Sequence, residues 1–433
     1  MEEGVQDIAM KRILVMGLGR FGGGAAAVRY FRERGHPVTV TDTAAPEKLE
    51  RSIAEVDPLG VAWRLGGHDP RDFDAADVIV VNQAVPFDHP LVARARERGQ
   101  TVVTELGLTL RELKCPVVGV TGTKGKSTTT ALLAAMLLAS GRQAVLGGNI
   151  GRPLLNEAAG LPPSAIAVLE VSSFQLAWLE HEDFAPLAAV ITNVTGDHLD
   201  RHPSFDHYAR SKRRLVEAVP RGGVVVLREE DPVCRSFAGH ARGRVIWFGE
   251  GCPPPVALDG LRLAGRHNLW NAAAAAHAAL AAGATPEGCR AAIREFRPLR
   301  HRLEALSTAG PVEFVDDSIA TTPEAVAAAV ASFSRPVILL TGGRDKGLDW
   351  SPLVRAAGGA KAVIAYGETG PALHLRIPAS RLRPSLDAAV RCALELAEPG
   401  DVVLLSPGFA SYDEFPGFDA RGDRFRELVG ARF

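Results

Sequence analysis

The sequence predicts an α/β protein of three domains, each built on a mainly parallel sheet, and three observations carry that expectation. Short β-branched apolar runs recur along the 433 residues. A glycine turn and then a longer Ala/Leu/Arg segment follow each run. The runs are continuously apolar rather than alternating, as strands buried on both faces of a parallel sheet must be.

Strands are expected in order at residues 12–16, 38–41, 78–81, 117–121, 165–169, 189–192, 224–227, 245–248, 312–315, 336–341, 362–365 and 401–406. A new strand with its own glycine-rich loop begins after Cys115–Pro116, and a long Ala-rich helix ends near Arg297–Pro298. The boundaries therefore fall near 112 and 299. They give a Rossmann-like domain at 1–112, a central phosphate-loop domain at 113–298 and a dinucleotide-fold-like domain at 299–433. Residues 249–255 carry three consecutive prolines, which cannot lie in a central strand, and read as a loop.

Composition narrows the function. Lys plus Arg number 49 against 50 Asp plus Glu, a net charge of −1, which argues against a coat for nucleic acid or an anionic membrane. The five cysteines are scattered with no C-x-x-C pair, so neither a disulfide framework nor a thiolate zinc site is expected. Lys11 and Arg12 lead into an apolar run too short for a secretory segment, and no run reaches the ~18 residues of a membrane span. A cytoplasmic protein is expected.

The strongest motif is VVGVTGTKGKSTTTALLAAMLLA, a strand, loop and helix. Gly122 and Gly125 let the loop turn so that its N–H groups point at phosphate oxygens. Lys126 would reach the β- and γ-phosphates and Ser127 would ligate Mg²⁺ at the helix N-terminus. Val120 stands where the strict pattern has its first glycine, yet GKST in this context still reads as nucleotide binding. Earlier, Gly17-Leu18-Gly19-Arg20-Phe21-Gly22 follows the first strand and Asp42 ends the second. That spacing suits any pyrophosphate and does not separate NAD from a nucleotide-sugar.

Glu170 ends the strand at 165–169 and precedes VSSFQL, where a Mg²⁺·ATP site needs an acid. The run NVTGDHLDRH, residues 193–202, follows another strand, and Lys212 lies on the helix after it. Taken alone, the Asp- and His-rich run could suggest a two-metal hydrolase, with a polar loop capping the next helix as the bland alternative, and Lys212 reads as part of a solvated basic face. Further polar clusters open or close elements at HNLWN (267–271), HR (301–302), DDS (316–318), GGRDKG (342–347) and SPG (406–408). Polar residues at strand C-termini are where open α/β sheets bind ligands.

Together these motifs resemble the Mur ligase family, over essentially the whole chain. TGTKGKSTT, GGNIG, LEVSSFQL, NVTGDHLDRH, the Lys of YARSKRR, GRHNLWNAAAA, HRLE, DDSIATTP, GGRDKG and SPGFASYDEFPGF occur in the family's order. The resemblance implies an ATP-dependent ligase joining D-glutamate to UDP-N-acetylmuramoyl-L-alanine through an acyl phosphate, with ATP and two Mg²⁺. The partners it implies are those two small molecules, with no nucleic acid, no membrane insertion and a monomeric chain.

Residue by residue, the resemblance assigns catalysis to Lys126, Glu170, His198 and Lys212, with Lys212 N-carboxylated by CO₂. Ser127, Glu170, His198 and Lys212 would hold metal. ATP would meet Gly122, Thr123, Lys124, Gly125, Lys126, Ser127, Thr128, Thr129, Asn268, Asn271, Arg302 and Asp317. The UDP substrate would meet Gly17, Leu18, Gly19, Arg20, Phe21, Gly22, Asp42, Thr43 and Asn149. Glutamate would meet Thr321, Lys346, Ser411 and Phe418.

This chain departs from the family pattern at Lys124 and Thr322, where Asn is usual, at Ile319, where Lys is usual, and at Asn82–Val85, which lacks S-P-G. Those departures leave L-glutamate as the alternative acceptor. A folylpolyglutamate-synthetase-like ligase lacks the first glycine domain, a dehydrogenase leaves GKST unexplained, and a non-catalytic nucleotide-sugar binder leaves Lys126, Glu170 and His198 idle.

Overall fold

The computed structural model describes residues 10–19, 22–179, 184–196, 202–263, 265–307 and 311–430. The chain divides into two compact units, Met1–Asp259 with Trp270–Ile293, and Gly260–Leu269 with Arg294–Phe433. The first unit holds two sheets and the second holds one.

In the first unit, β1 (Ile13–Met16), β2 (Val38–Asp42), β3 (Ala62–Leu65), β4 (Val78–Val81) and β5 (Thr101–Val103) form a parallel sheet in the order β3-β2-β1-β4-β5. Ile13 and Val15 pack into one core cluster while Leu14 and Met16 pack into another. Both faces of β1 are thus buried, which is why its sequence is continuously apolar. The chain reverses direction across the sheet between β1 and β4, the kind of switch point at which such sheets bind ligands.

The second sheet is also parallel and comprises β6 (Val117–Thr121), β7 (Ala144–Gly148), β8 (Ile166–Glu170), β9 (Ala188–Ile191), β10 (Val224–Arg228) and β11 (Arg244–Phe248). Its order β11-β10-β9-β6-β8-β7 puts β6 at the switch point, flanked by β9 and β8. The helix Phe205–Ala218 is N-capped by Ser204, whose hydroxyl accepts from His207 N.

The second unit contains β12 (Glu304–Ser307), β13 (Glu313–Asp316), β14 (Val337–Gly342), β15 (Ala362–Tyr366), β16 (Arg381–Leu382) and β17 (Val402–Gly408), ordered β12-β13-β17-β14-β15-β16. The β12–β13 pair is antiparallel and the others are parallel. Again two core clusters divide alternate residues: Val403 and Leu405 from Val402 and Leu404. β17 runs through Pro407, past the expected end at 406, because its pairing with β14 shifts register between Leu340 and Gly342. A proline without an N–H fits such an irregularity.

Every run expected as a strand forms one, with ends that agree or move by at most two residues. β3, β5, β7, β12 and β16 were not expected, and each lies at the edge of its sheet. An edge strand needs less apolar surface, as the half-exposed pattern of β3 and the exposed β16 illustrate. Residues 249–255 form the expected loop. The five cysteines are free thiols. Among the described residues no helix is long and apolar enough to cross a membrane.

Candidate active site

The loop after β6 is shaped by two glycines in left-handed backbone, Gly122 at φ 147° and Gly125 at φ 85°. A Cβ on Gly122 would overlap Thr192 Oγ1, and one on Gly125 would overlap Asn271 Oδ1, so both positions require glycine. The loop is pinned to the segment after β9. Asn193 Oδ1 accepts from Lys124 N at 3.0 Å while Asn193 Nδ2 donates to Lys124 O at 2.8 Å. Thr192 Oγ1 donates to Lys124 O at 2.6 Å, and Thr123 N donates to Asn193 O at 2.8 Å. This fixed arrangement aims the first turn of the helix Lys126–Ala139, which carries no acidic residue.

Lys126 Nζ donates to Gly122 O at 3.0 Å and Thr123 O at 2.9 Å. Lys212, 1% exposed, donates to the same Gly122 O at 2.7 Å and lies over the Tyr208 ring, 4.5 Å from its centroid. Tyr208 OH in turn pairs with Thr123 Oγ1 at 2.9 Å. Ser127 is half-buried on the first helical turn, Thr128 and Thr129 are buried, and Thr129 Oγ1 has no hydrogen-bond partner.

Glu170 sits beside Val120 in the β6–β8 register and is 2% exposed. Its Oε1 accepts from Asn149 Nδ2 at 2.9 Å, and its Oε2 is buried without a hydrogen-bond partner. A buried carboxylate oxygen left unpartnered suits a cation, so Ser127 and Glu170 fit a Mg²⁺ site on this chain's own chemistry. Asn149, expected at the UDP substrate, orients Glu170 here; Asn149 N also donates to Glu170 O at 2.7 Å. His198 lies outside the described residues.

In the first sheet, Gly17, Gly19 and Gly22 adopt positive φ, and Gly22 caps the helix Gly23–Glu33. Asp42 does not stand free: Oδ2 accepts from Leu18 N at 2.9 Å and Gly19 N at 3.4 Å, and Oδ1 from Ala44 N at 2.8 Å. It braces the glycine turn. Thr43 is exposed beside it, while Arg20 and Phe21 lie outside the described residues. Asn82, after β4, donates to Gly17 O at 3.3 Å, and Ser52 donates to Gly19 O at 2.8 Å.

In the second unit, Asp317 is buried and accepts from Ser406 Oγ at 2.9 Å and Leu303 N at 3.2 Å. Burial, opposed by the Ser406 hydroxyl and by Arg302, pushes its carboxyl up to about 7. Arg302 Nε is buried without a hydrogen-bond partner, a donor suited to phosphate. Next to it, His301 at φ 61° pairs through Nδ1 with Asp316 Oδ2 at 2.7 Å. Lys346 Nζ donates to Thr321 Oγ1 at 3.1 Å; Ser411 is buried, and Phe418 O accepts from Ser318 Oγ at 2.7 Å. Asn268 is buried in this unit, whereas Asn271, on the same helix Arg266–Ala281, belongs to the first.

Sequence reasoning gave no role to three members of these sites, although each lies in a segment it singled out. Tyr208 precedes Lys212 by four residues, so the two share a helix face, and that spacing was the available signal. His202 is buried between Ser173 Oγ at 3.0 Å and His207 Nδ1 at 2.9 Å, stacked on Phe174. Asn82 had no local signal, because only the sheet order brings β4 beside β1.

Comparison with known proteins shows the family. The Mur ligase MurD-like N-terminal domain matches residues 11–104, the Mur ligase middle domain 120–253, and the Mur ligase glutamate ligase domain 301–409. A relative from Anaeromyxobacter dehalogenans, named UDP-N-acetylmuramoylalanine–D-glutamate ligase, is 39% identical over 96% of this chain and 97% of its own length. One of the same name from Rubrobacter xylanophilus is also 39% identical, covering 98% of this chain and 99% of its own. The crystal structure of UDP-N-acetylmuramate-alanine ligase MurC from Thermotoga maritima shares the fold, with a TM-score of 0.63 at 20% identity over 98% of this chain and all of that one. Full-length relatedness at this level, together with a glycine loop braced as described, establishes that the chain belongs to the Mur ligase family.

Proposed function

We propose that the protein is an ATP-dependent ligase that adds D-glutamate to UDP-N-acetylmuramoyl-L-alanine in peptidoglycan precursor synthesis, acting as a cytoplasmic monomer. The observation that carries this reading is the unpartnered Glu170 Oε2 buried beside a phosphate loop, in a chain whose full-length relatives bear that activity in their names. The three separate sheets support domains at 1–112, 113–298 and 299–433.

The chemistry follows from charge. A carboxylate is a poor acyl donor, so a carboxylate oxygen of the alanyl group attacks the γ-phosphorus, the bond to the β-phosphate oxygen breaks, and ADP departs. The glutamate nitrogen then attacks the acyl phosphate carbon; the tetrahedral intermediate loses phosphate and the nitrogen loses a proton. Lys126 leaves Gly122 O and Thr123 O to meet the transferring phosphoryl oxygens. Gly17–Gly22, held by Asp42, and Thr43 would seat the UDP portion, while Asn149 keeps the Glu170 carboxylate aimed. Asn268, Asn271, Arg302 and Asp317 would contact ATP. Thr321, Lys346, Ser411 and Phe418 would line the glutamate pocket.

Ser127 and Glu170 would hold one Mg²⁺, and His198 with Lys212 a second. Magnesium supplies neutralisation of the anions that must approach each other. The Lys212 ammonium is a donor and cannot ligate metal; N-carboxylation would convert it into an anionic ligand.

The test is ADP release from purified protein supplied with ATP, UDP-N-acetylmuramoyl-L-alanine and each glutamate enantiomer. Release requiring both substrates, with ¹⁸O from the muramoyl carboxylate appearing in phosphate, is expected. Turnover with only the L enantiomer would overturn the acceptor, and amide formation with ATP intact would overturn the mechanism.

A further inference from the structure

The guanidinium of Arg421 stands out among the buried groups of the second unit. It is 1% exposed, on the helix Phe418–Gly430, at a position whose neighbour one turn on, Phe425, is fully buried. Its Nε donates to Ser318 Oγ at 3.0 Å, and its Nη2 donates to Ser318 O at 3.0 Å and Phe409 O at 3.1 Å. Those oxygens are neutral, and no ion pair joins Arg421 to a carboxylate among the described residues. Its Nη1 is buried with no partner in good hydrogen-bond geometry; the buried Tyr366 hydroxyl lies beside the guanidinium, and the Glu414 carboxylate acts on it from farther off. A buried cation is costly unless paired, so its retention calls for an explanation.

The groups it ties together supply one. Ser318 follows β13 and leads to Thr321; Phe409 follows β17 and leads to Ser411; Ser318 Oγ itself donates to Phe418 O. The fork therefore cross-links the three segments that carry Thr321, Ser411 and Phe418. The fourth lies alongside: a Cβ on Gly343, three residues before Lys346, would come 3.2 Å from Arg421 Nη1. Only a planar fork spans a hydroxyl and two carbonyls in this way, which an ammonium cannot reproduce.

We propose that Arg421 is a positioning residue for the acceptor amino acid, setting the shape of the pocket and adding a fixed positive charge behind it for a dicarboxylic substrate. This rests on the glutamate pocket proposed above.

The test is initial-rate kinetics of Arg421→Lys and Arg421→Ala, with each substrate varied. KM for glutamate should rise about tenfold or more in both, the scale of one lost charge-assisted hydrogen bond, while KM for ATP and for the UDP substrate stays within about twofold. Guanidinium at millimolar concentration should lower the glutamate KM of Arg421→Ala and leave that of Arg421→Lys unchanged. Should the alanine variant not fold, Ser318→Ala, which removes one acceptor of the fork, should show the same selective rise more weakly. An unchanged glutamate KM in Arg421→Lys, or equal rises for all three substrates, would overturn the proposal. Failure of the wild-type protein to use glutamate would instead sink the functional reading, so the two failures are distinct.

Discussion

Lys126 and Lys212 donate to one atom, the carbonyl oxygen of Gly122, at 3.0 and 2.7 Å. Two ammonium groups converging on one neutral oxygen repel each other, by about 1 kcal/mol in water at 4 Å and more where burial lowers the local dielectric. Lys126 is half-buried at the start of its helix, whereas Lys212 is enclosed above the Tyr208 ring. Lys126 is thus the partner placed to move toward a phosphate and Lys212 the one placed to stay.

Lys212→Ala should lower kcat by about two to three orders of magnitude, the scale of losing one fixed group that stabilises a transition state. If the lysine works as a carbamate, acetate or propionate at high concentration should restore part of the rate to the alanine variant. Steady-state assays with and without added carboxylate read this out; wild-type-like turnover of the variant would remove Lys212 from the mechanism.

Glu170→Gln separates metal binding from packing. The glutamine keeps the shape and the contact with Asn149 but removes the charge from an oxygen that has no partner. Without metal, the variant should be at least as stable as the wild type, because it no longer buries a charge. Mg²⁺ should raise the melting temperature of the wild type and leave that of the variant unchanged. A variant still stabilised by Mg²⁺ to the wild-type extent would place the ion elsewhere.

The phosphate loop was legible because its chemistry is local: glycines, lysine and hydroxyls in one segment between a strand and a helix. The central strands were legible for a similar reason, since Leu14 and Val15 each face a core of their own. The edge strands were not, since β16 is two exposed residues that pair with β15 alone. Nor was the role of Asp42. Its spacing after the glycines does not reveal that, with Gly17 N hydrogen-bonded to Thr41 O, the loop folds back onto its carboxylate. Asn82 and Arg421 depend on which strands become neighbours, information that no segment of the chain holds alone.

His301 should make stability depend on pH. Its hydrogen bond to Asp316, which outweighs burial, holds the imidazolium to higher pH than usual. The stabilisation is complete below the ordinary value near 6.5 and disappears as pH rises through the higher folded-state value. His301→Asn, which tolerates the left-handed backbone at this position, should therefore cost more at pH 6 than at pH 9. The loss at pH 6 should be about 1–3 kcal/mol, the range for a hydrogen bond to a charged group. Urea unfolding at the two values measures it, and equal losses would mean that His301 acts by packing alone.

Asp317 should act on stability with its own sign. Burial raises its carboxyl from the ordinary value of 3.8 to about 7, so between those values the folded protein holds a proton that the unfolded chain releases. Stability from this group is complete below about pH 4, falls as pH rises toward 7, and is level above it. Asp317→Asn keeps a neutral group of the same shape, so it should abolish this component of the slope and leave the variant more resistant to urea at pH 8 relative to wild type than at pH 5. An unaltered slope would mean that Asp317 is already ionised in the folded protein. The same substitution bears on ligand binding, because Arg302 is the cation that opposes the effect of burial. Above pH 7 the ionised Asp317 competes with an incoming phosphate for that guanidinium, whereas the neutral amide of the variant does not. The KM for ATP should therefore rise with pH through neutrality in the wild type and stay flatter in the variant, a comparison that separates electrostatic competition from a direct contact between Asp317 and the nucleotide.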